Sequence, residues 1–301
     1  MQKLDGWMFK PVSPLRLGVA RALFYLWYLV QLIYYRPFAW TAVPQEFWEP
    51  SALMSLWMSA PRLSPTTNHL LFGILLVATL LASLGVKTRF STTVVALVGT
   101  WYFGLAACFG QADFHLYPVV LISWILPWSS CGRAFSWDAK SQSRPCPSGS
   151  FRWPIRLAHL ALLLPMASAG VHKFLGGWLL HPVSTMEYFI LYKNTLHARM
   201  KHMYPPDFTL SALDYEVVLV LLAYATVTCE LGCPLALLDK PKYLKVFLVG
   251  GLFLMQLTLA RVFFIFPSFP WLAAYLFWVP WEKLWPIEPE RSGCDETVAS
   301  A

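Results

Sequence analysis

The sequence predicts an all-α protein, a polytopic transmembrane helical bundle of about seven to nine spans. Three observations predict it. Hydrophobic residues make up 57% of the 301 and charged residues only 13%. That is about half the charged share of a soluble domain, and one aqueous core could not hide so much apolar surface. The apolar residues gather into runs of near span length, roughly 20 residues for a helix that crosses the hydrocarbon. Basic residues concentrate in every other connecting loop, as in a chain threaded back and forth through a membrane.

The N-terminal stretch MQKLDGWMFKPVSPLR is polar and aromatic. It lacks the short apolar core and small-residue cleavage site of a signal peptide, so the first span is expected to act as the insertion signal. The expected spans are Pro14–Tyr35, Asn68–Val86, Phe90–Gly110, His115–Cys131, Trp153–His172, Glu216–Leu238, Tyr243–Phe266 and a short one at Pro270–Trp281. Trp178–Leu191 is also apolar and reads as a re-entrant or interfacial helix. Together these form a single transmembrane helical domain over residues 1–281, followed by a disordered acidic tail over 282–301.

The formal charge of +7 sits in short loops rather than on one face. It therefore acts as a topology signal, and no nucleic-acid-binding motif accompanies it. Lys3, Lys10 and Arg16 lie at the first span, Lys87 and Arg89 between the second and third. Arg133, Lys140, Arg144, Arg152 and Arg156 surround the fourth-to-fifth connection, and Lys240, Lys242 and Lys245 the sixth-to-seventh. This pattern places the N-terminus in the cytoplasm, and in a eukaryote the endoplasmic reticulum is the expected membrane. The six cysteines are scattered with no CxxC pair, which speaks against structural zinc and for buried or free thiols.

Charged residues inside spans are costly and tend to carry function. Asp113 and His115 open the fourth span, and His172 and Lys173 close the fifth on the same expected face. Glu230 sits inside the sixth span and Arg261 near the outer end of the seventh. A lysine in an apolar pocket loses the solvation of its charged form and can act as a general base. A histidine nearby can donate a hydrogen bond to a developing oxyanion, and Asp113 can orient it. The bland alternatives are a lysine that snorkels to the headgroups and a Glu230 that pairs with a histidine or arginine to hold helices together. GxSxG, HExxH, Walker and dinucleotide-binding motifs are all absent.

Several segments carry a resemblance. AGVHKFLGGW and MEYF, at Ala169–Trp178 and Met186–Phe189, DFHLY and FSWD, at Asp113–Tyr117 and Phe135–Asp138, SLGVKTRF, at Ser83–Phe90, and CELGCPLALL, at Cys229–Leu238, together resemble the membrane domain of vitamin K-dependent gamma-carboxylase. That domain is shared with the HTTM proteins. The carboxylase has a similar Ala-Gly-Val-Lys-Lys stretch, and the resemblance puts its base, the second lysine, at Lys173, with His172 in place of the first. Counting back from Asp138 without a gap, His115 falls on a histidine that follows an Asn-Asn pair in the family. Here Ala112, Asp113 and Phe114 precede it. The resemblance places a histidine and an asparagine of the family's next-to-last span on Leu257 and Ala260, whose apolar side chains cannot do that work. The chain also lacks the large lumenal domain that captures a peptide.

The resemblance therefore implies an integral membrane enzyme that performs acid–base chemistry on a lipid-soluble quinol or isoprenoid, without glutamate carboxylation. Lys173 would be its base or cation, His115 the hydrogen-bond donor, and Asp113 and Glu187 supporting acids. His172, Trp178, Tyr117, Glu230 and Arg261 would bind substrate. The cofactor stays open between a reduced quinone and, for a prenyl diphosphate substrate, magnesium; no protein metal site is expected, and the partners are membrane lipid and an apolar small molecule. Two rivals stand beside it. One is a membrane-bound terpene cyclase, with magnesium if a prenyl diphosphate is the substrate and aromatic faces to stabilise carbocations. The other is a non-catalytic lipid-binding or assembly protein. The substrate pocket is expected near the non-cytoplasmic face, lined by aromatic residues of the third, fourth and fifth spans.

Overall fold

The computed structural model describes residues 2–35, 41–48, 63–105, 116–141, 145–201, 211–238, 241–262 and 268–284. Eleven α-helices occur among them: α1 (Gln2–Phe9), α2 (Pro14–Tyr35), α3 (Pro65–Leu84), α4 (Thr88–Gly104), α5 (Tyr117–Ile125), α6 (Arg152–Leu175), α7 (Pro182–Lys201), α8 (Glu216–Gly232), α9 (Lys242–Val262), α10 (Ser268–Tyr275) and α11 (Trp281–Leu284). No strand is present among the described residues; Val12 and Ser148 form an isolated bridge. The all-α expectation holds.

Among the described residues, four helical segments are long and apolar enough to cross a membrane: Pro14–Ile33, Pro65–Leu84, Gly149–Leu175 and Glu216–Leu237. Shorter apolar helices run over Tyr117–Trp128 and Tyr243–Thr258. The first expected span matches α2 residue for residue. Two others continue as helix but change from α to 3-10 geometry where proline removes a donor. The described part of the expected fourth span becomes a 3-10 turn at Leu126–Trp128, with Pro127 in its first turn, and the sixth becomes one at Cys233–Leu237, with Pro234 in its first turn. The eighth element, α10, is only 8 residues long, well short of a crossing.

The chain divides into two compact units, residues 1–110, 122–158 and 276–301 in the first and 111–121 and 159–275 in the second. In the first unit α2 packs on α3, and α3 on α4. α3 begins under a Ser64 cap, whose hydroxyl accepts the Thr67 N–H at 3.2 Å, with Pro65 in its first turn. It ends at Gly85, whose left-handed φ of +73° lets its N–H reach the Leu81 carbonyl. A side chain there would also collide with Arg21 and Ser136, so this glycine is doubly required. α4 starts two residues later, and its cap comes from far along the chain. Asp138 Oδ1 accepts the Lys87 N–H at 2.9 Å, and Oδ2 accepts the Thr88 N–H and hydroxyl at 2.7 and 2.8 Å. The SLGVKTRF and FSWD segments thus meet as one turn-and-cap structure. Burial alone would raise the Asp138 carboxyl; the two Thr88 bonds, the Lys87 bond and the Arg21 charge outweigh it and hold that carboxyl below its ordinary value.

In the second unit α7 packs on α8 around Met186, Ile190, Leu219 and Ala223, all buried. α9 lies against the 3-10 turn after α8 and against α10. The helix faces are inside out. On α8 the buried side carries Leu219, Ala223, Val227 and Glu230, while Val217 is 71% and Leu221 63% exposed. On α3 Asn68 and Thr79 are buried while Leu70 and Val77 are more than half exposed. Leucine and valine outward with glutamate and asparagine inward is the pattern of helices that face lipid. One expectation on the thiols is corrected: Cys146 is disulfide-bonded, while Cys131, Cys229 and Cys233 are free. Its spacing from the other cysteines carried no pairing pattern, so the sequence offered no indication of it.

Candidate functional site

The strongest polar constellation in the second unit forms where α6 crosses α8. Gly170 makes the crossing possible. A Cβ at that position would lie 2.8 Å from both the Glu230 Cβ and the Leu231 backbone nitrogen, below any contact real Cβ atoms make, so only glycine lets the two backbones approach this closely. One turn further along α6, the Lys173 ammonium forms an ion pair with Glu230 Oε1. The Glu230 side chain is 4% exposed and that of Lys173 22%. Among the described residues, Glu230 Oε2 is buried with no hydrogen-bond partner.

The chain after Lys173 folds back over it. The Gly176 N–H donates to the His172 carbonyl at 2.8 Å, Gly177 takes a φ of +77°, and the Trp178 N–H donates to the Lys173 carbonyl at 3.2 Å. This turn sets the Trp178 ring with its centroid 5.2 Å from Lys173 Nζ, where the negative face of the indole attracts the ammonium. Trp178 in turn packs on Phe189, centroids 5.8 Å apart, and on the Met186–Ile190–Leu219–Ala223 cluster. The parts of AGVHKFLGGW and MEYF therefore divide the physical work among them. Gly170 permits close approach, Lys173 carries the charge and Gly177 reverses the chain. Trp178 forms an aromatic wall, which Met186 and Phe189 support.

Of the residues singled out from sequence, the structure brings together Lys173, Glu230 and Trp178. His172, next to Lys173, is exposed. Glu187 is half-buried on α7, and the acid that pairs with Lys173 is Glu230. Tyr117 is 45% exposed at the start of α5. Asp113 and His115 lie outside the described residues, as does the Arg261 side chain. Sequence reasoning missed Gly170 and Arg21. Arg21 is a charged residue well inside the first span, where it is fully buried. Its position within an apolar run was the available indication.

A helical architecture with four membrane-length apolar helices and an inward-facing ion pair defines an integral membrane protein of the all-α class. Within that class, a family model for the HTTM domain matches residues 9–285, and the chain belongs to that family. No curated protein matches the chain, and no solved structure does.

Proposed function

We propose that this HTTM protein is a membrane enzyme that uses the Lys173–Glu230 pair for acid–base chemistry on a lipid-soluble quinol or isoprenoid, without carboxylating glutamate. The observation that carries the proposal is the pair itself, an accessible lysine backed by a buried carboxylate in apolar surroundings. A proton passed from Lys173 to Glu230 leaves two neutral groups, which a low-dielectric interior tolerates better than a separated charge. The free amine then takes the hydroxyl proton of the substrate and becomes an ammonium that stabilises the oxygen it has uncovered. Trp178 supplies a flat wall for a ring or a prenyl chain. His115 as hydrogen-bond donor, with Asp113 and Glu187 in support and His172, Tyr117 and Arg261 toward substrate, completes the proposed set.

The test is to incubate purified protein with reduced quinones and, separately, with prenyl diphosphates and magnesium, and to examine the extracts by mass spectrometry. Turnover of a quinol that falls at least a hundredfold in Lys173→Ala, and also falls in Glu230→Gln, is the expected result; a loss of about that size matches removal of a general base. Full turnover in both variants overturns the proposal. Cyclised prenyl products that persist in Lys173→Ala would favour the cyclase, in which Trp178 and Phe189 provide the aromatic faces. A cytoplasmic N-terminus follows from the loop charges. Impermeant-reagent labelling of the loop that carries Cys146 tests it: the loop charges put that loop on the cytoplasmic side with the N-terminus, its disulfide belongs in an oxidising compartment, and labelling of the loop from outside overturns the cytoplasmic placement.

A further inference from the structure

A second polar site lies in the first unit, around the turn between α3 and α4. A cleft of about 590 Å³ opens there. Its lining includes Lys87, Arg89, Arg133, Ser130, Phe90 and Asp138. Three cations thus face one carboxylate, and that carboxylate is already engaged, since both Asp138 oxygens accept bonds from the Lys87 and Thr88 backbone and the Thr88 hydroxyl. Among the described residues, none of the three cations forms an ion pair. All three are exposed. Three like charges gathered around one cleft without counter-charge repel one another, and an anion in the cleft relieves that repulsion.

Backbone conformation adds an independent observation. Among the described residues only Lys87 and Phe135 are non-glycine residues with positive φ, at +42° and +48°. Lys87 lines the cleft, and Phe135 follows two residues after Arg133. Glycine would adopt either conformation without strain. A lysine held there by the Asp138 cap keeps a long cation at a strained position, and such strain gathers at ligand sites.

The surroundings identify the anion's class. Phe90, Trp128 and Trp137 are exposed by 70%, 73% and 62%, and the Lys140 ammonium lies 3.8 Å from the Trp137 centroid. Exposed tryptophans and cations at the ends of apolar helices mark headgroup depth. Apolar Leu126 and Phe90 share the cleft with the cations, so its occupant has both a charged and a hydrocarbon part. The geometry points to a binding site for the phosphate of an anionic phospholipid, held by Arg89 and Arg133 in bidentate fashion and by Lys87 as a point charge, with its chains against the exposed Phe90.

The experiment uses full-length protein in nanodiscs of phosphatidylcholine with or without phosphatidylglycerol. It reads Tm and, by native mass spectrometry, retained lipid. Phosphatidylglycerol is expected to raise Tm saturably and to remain bound. Apparent affinity should fall about fivefold for each cation removed and about a hundredfold in Lys87→Gln/Arg89→Gln/Arg133→Gln. Arg89→Gln alone, at an exposed position, reports the effect should the triple variant fold poorly. Lys3→Gln/Lys10→Gln/Lys283→Gln, which removes the same charge elsewhere, should bind as wild type. Lys87→Gly should be more stable without anionic lipid yet hold that lipid more weakly. Equal loss in the control triple variant, or equal stabilisation by phosphatidylcholine alone, overturns the assignment. Stabilisation by inorganic phosphate alone would also overturn it, in favour of a small-anion site.

Discussion

Each of the two units holds a cation inside an apolar helix against a fixed partner, and the two partners differ. In the first unit Arg21 is fully enclosed within α2. Its guanidinium donates to the Phe135 carbonyl and lies under Gly85, so it ties α2 to the turn-and-cap structure built from SLGVKTRF and FSWD. In the second unit Lys173 meets a carboxylate and an indole face and keeps part of its surface open. Arginine does not give up its proton in proteins, whereas lysine does. The Arg21 charge is therefore permanent and holds a backbone in place, while the proposed mechanism exchanges the Lys173–Glu230 charge for two neutral groups. A charged residue in a membrane span is a reason to look for function, and its partner separates the two readings here: Arg21 on a carbonyl is a fastener, and Lys173 on a buried acid is the proposed reactive pair.

The contrast is open to direct attack. Glu230→Ala should have the largest effect, about 3–5 kcal/mol of destabilisation, because it strands a lysine in apolar surroundings. Thermal unfolding in detergent measures it, and Lys173→Met/Glu230→Leu should recover most of the loss, since a neutral pair of similar volume avoids desolvation. Arg21→Ala should cost about 3 kcal/mol through the lost charged hydrogen bond and the void, and Arg21→Lys should rescue little, because an ammonium lacks the planar fork. If Arg21→Lys restores full stability, the fastener reading is wrong. Gly170→Ala should come next, at about 1–3 kcal/mol of overpacking. It should cost proportionally more turnover than stability, because α8 must move away and carry Glu230 from Lys173.

Much of this was legible in the sequence. The spans follow from hydropathy and length, and α2 was placed to the residue. Lys173 and Glu230 were singled out as charges in or at the ends of apolar runs, and Trp178 through the resemblance carried by AGVHKFLGGW. Their union was not readable, because Lys173 and Glu230 are 57 positions apart and their meeting depends on the rotational register of two helices. That register is set by a missing side chain at Gly170, which no pattern of charge or hydropathy displays. Proximity of span ends linked Lys173 to His115 instead, and His115 lies outside the described residues. The expected sixth span agrees with the segment Glu216–Leu237; what hydropathy did not show is that Pro127 and Pro234 convert the last turn of their helices to 3-10 geometry, a local effect that a window of apolar residues averages away. Asp138 served only to anchor a count, although its role as the cap of α4 joins two of the motifs.

The cap gives the smallest effect and the cleanest separation of structure from chemistry. Asp138→Asn keeps the shape and one acceptor but loses the charge at the α4 N-terminus, and should cost about 1 kcal/mol. The sign of its pH dependence is fixed. The folded carboxyl titrates below the unfolded reference of 3.8, so the wild-type contribution is complete above that reference and is lost as pH falls through the lower folded value. The stability difference between wild type and Asp138→Asn should therefore be flat near neutrality and shrink only in that acid range. Quinol turnover by Lys173 should be unchanged at neutral pH, because the cap belongs to the other unit. A turnover defect as large as that of Glu230→Gln in a stable Asp138→Asn protein would join the fastener and the reactive pair into one site.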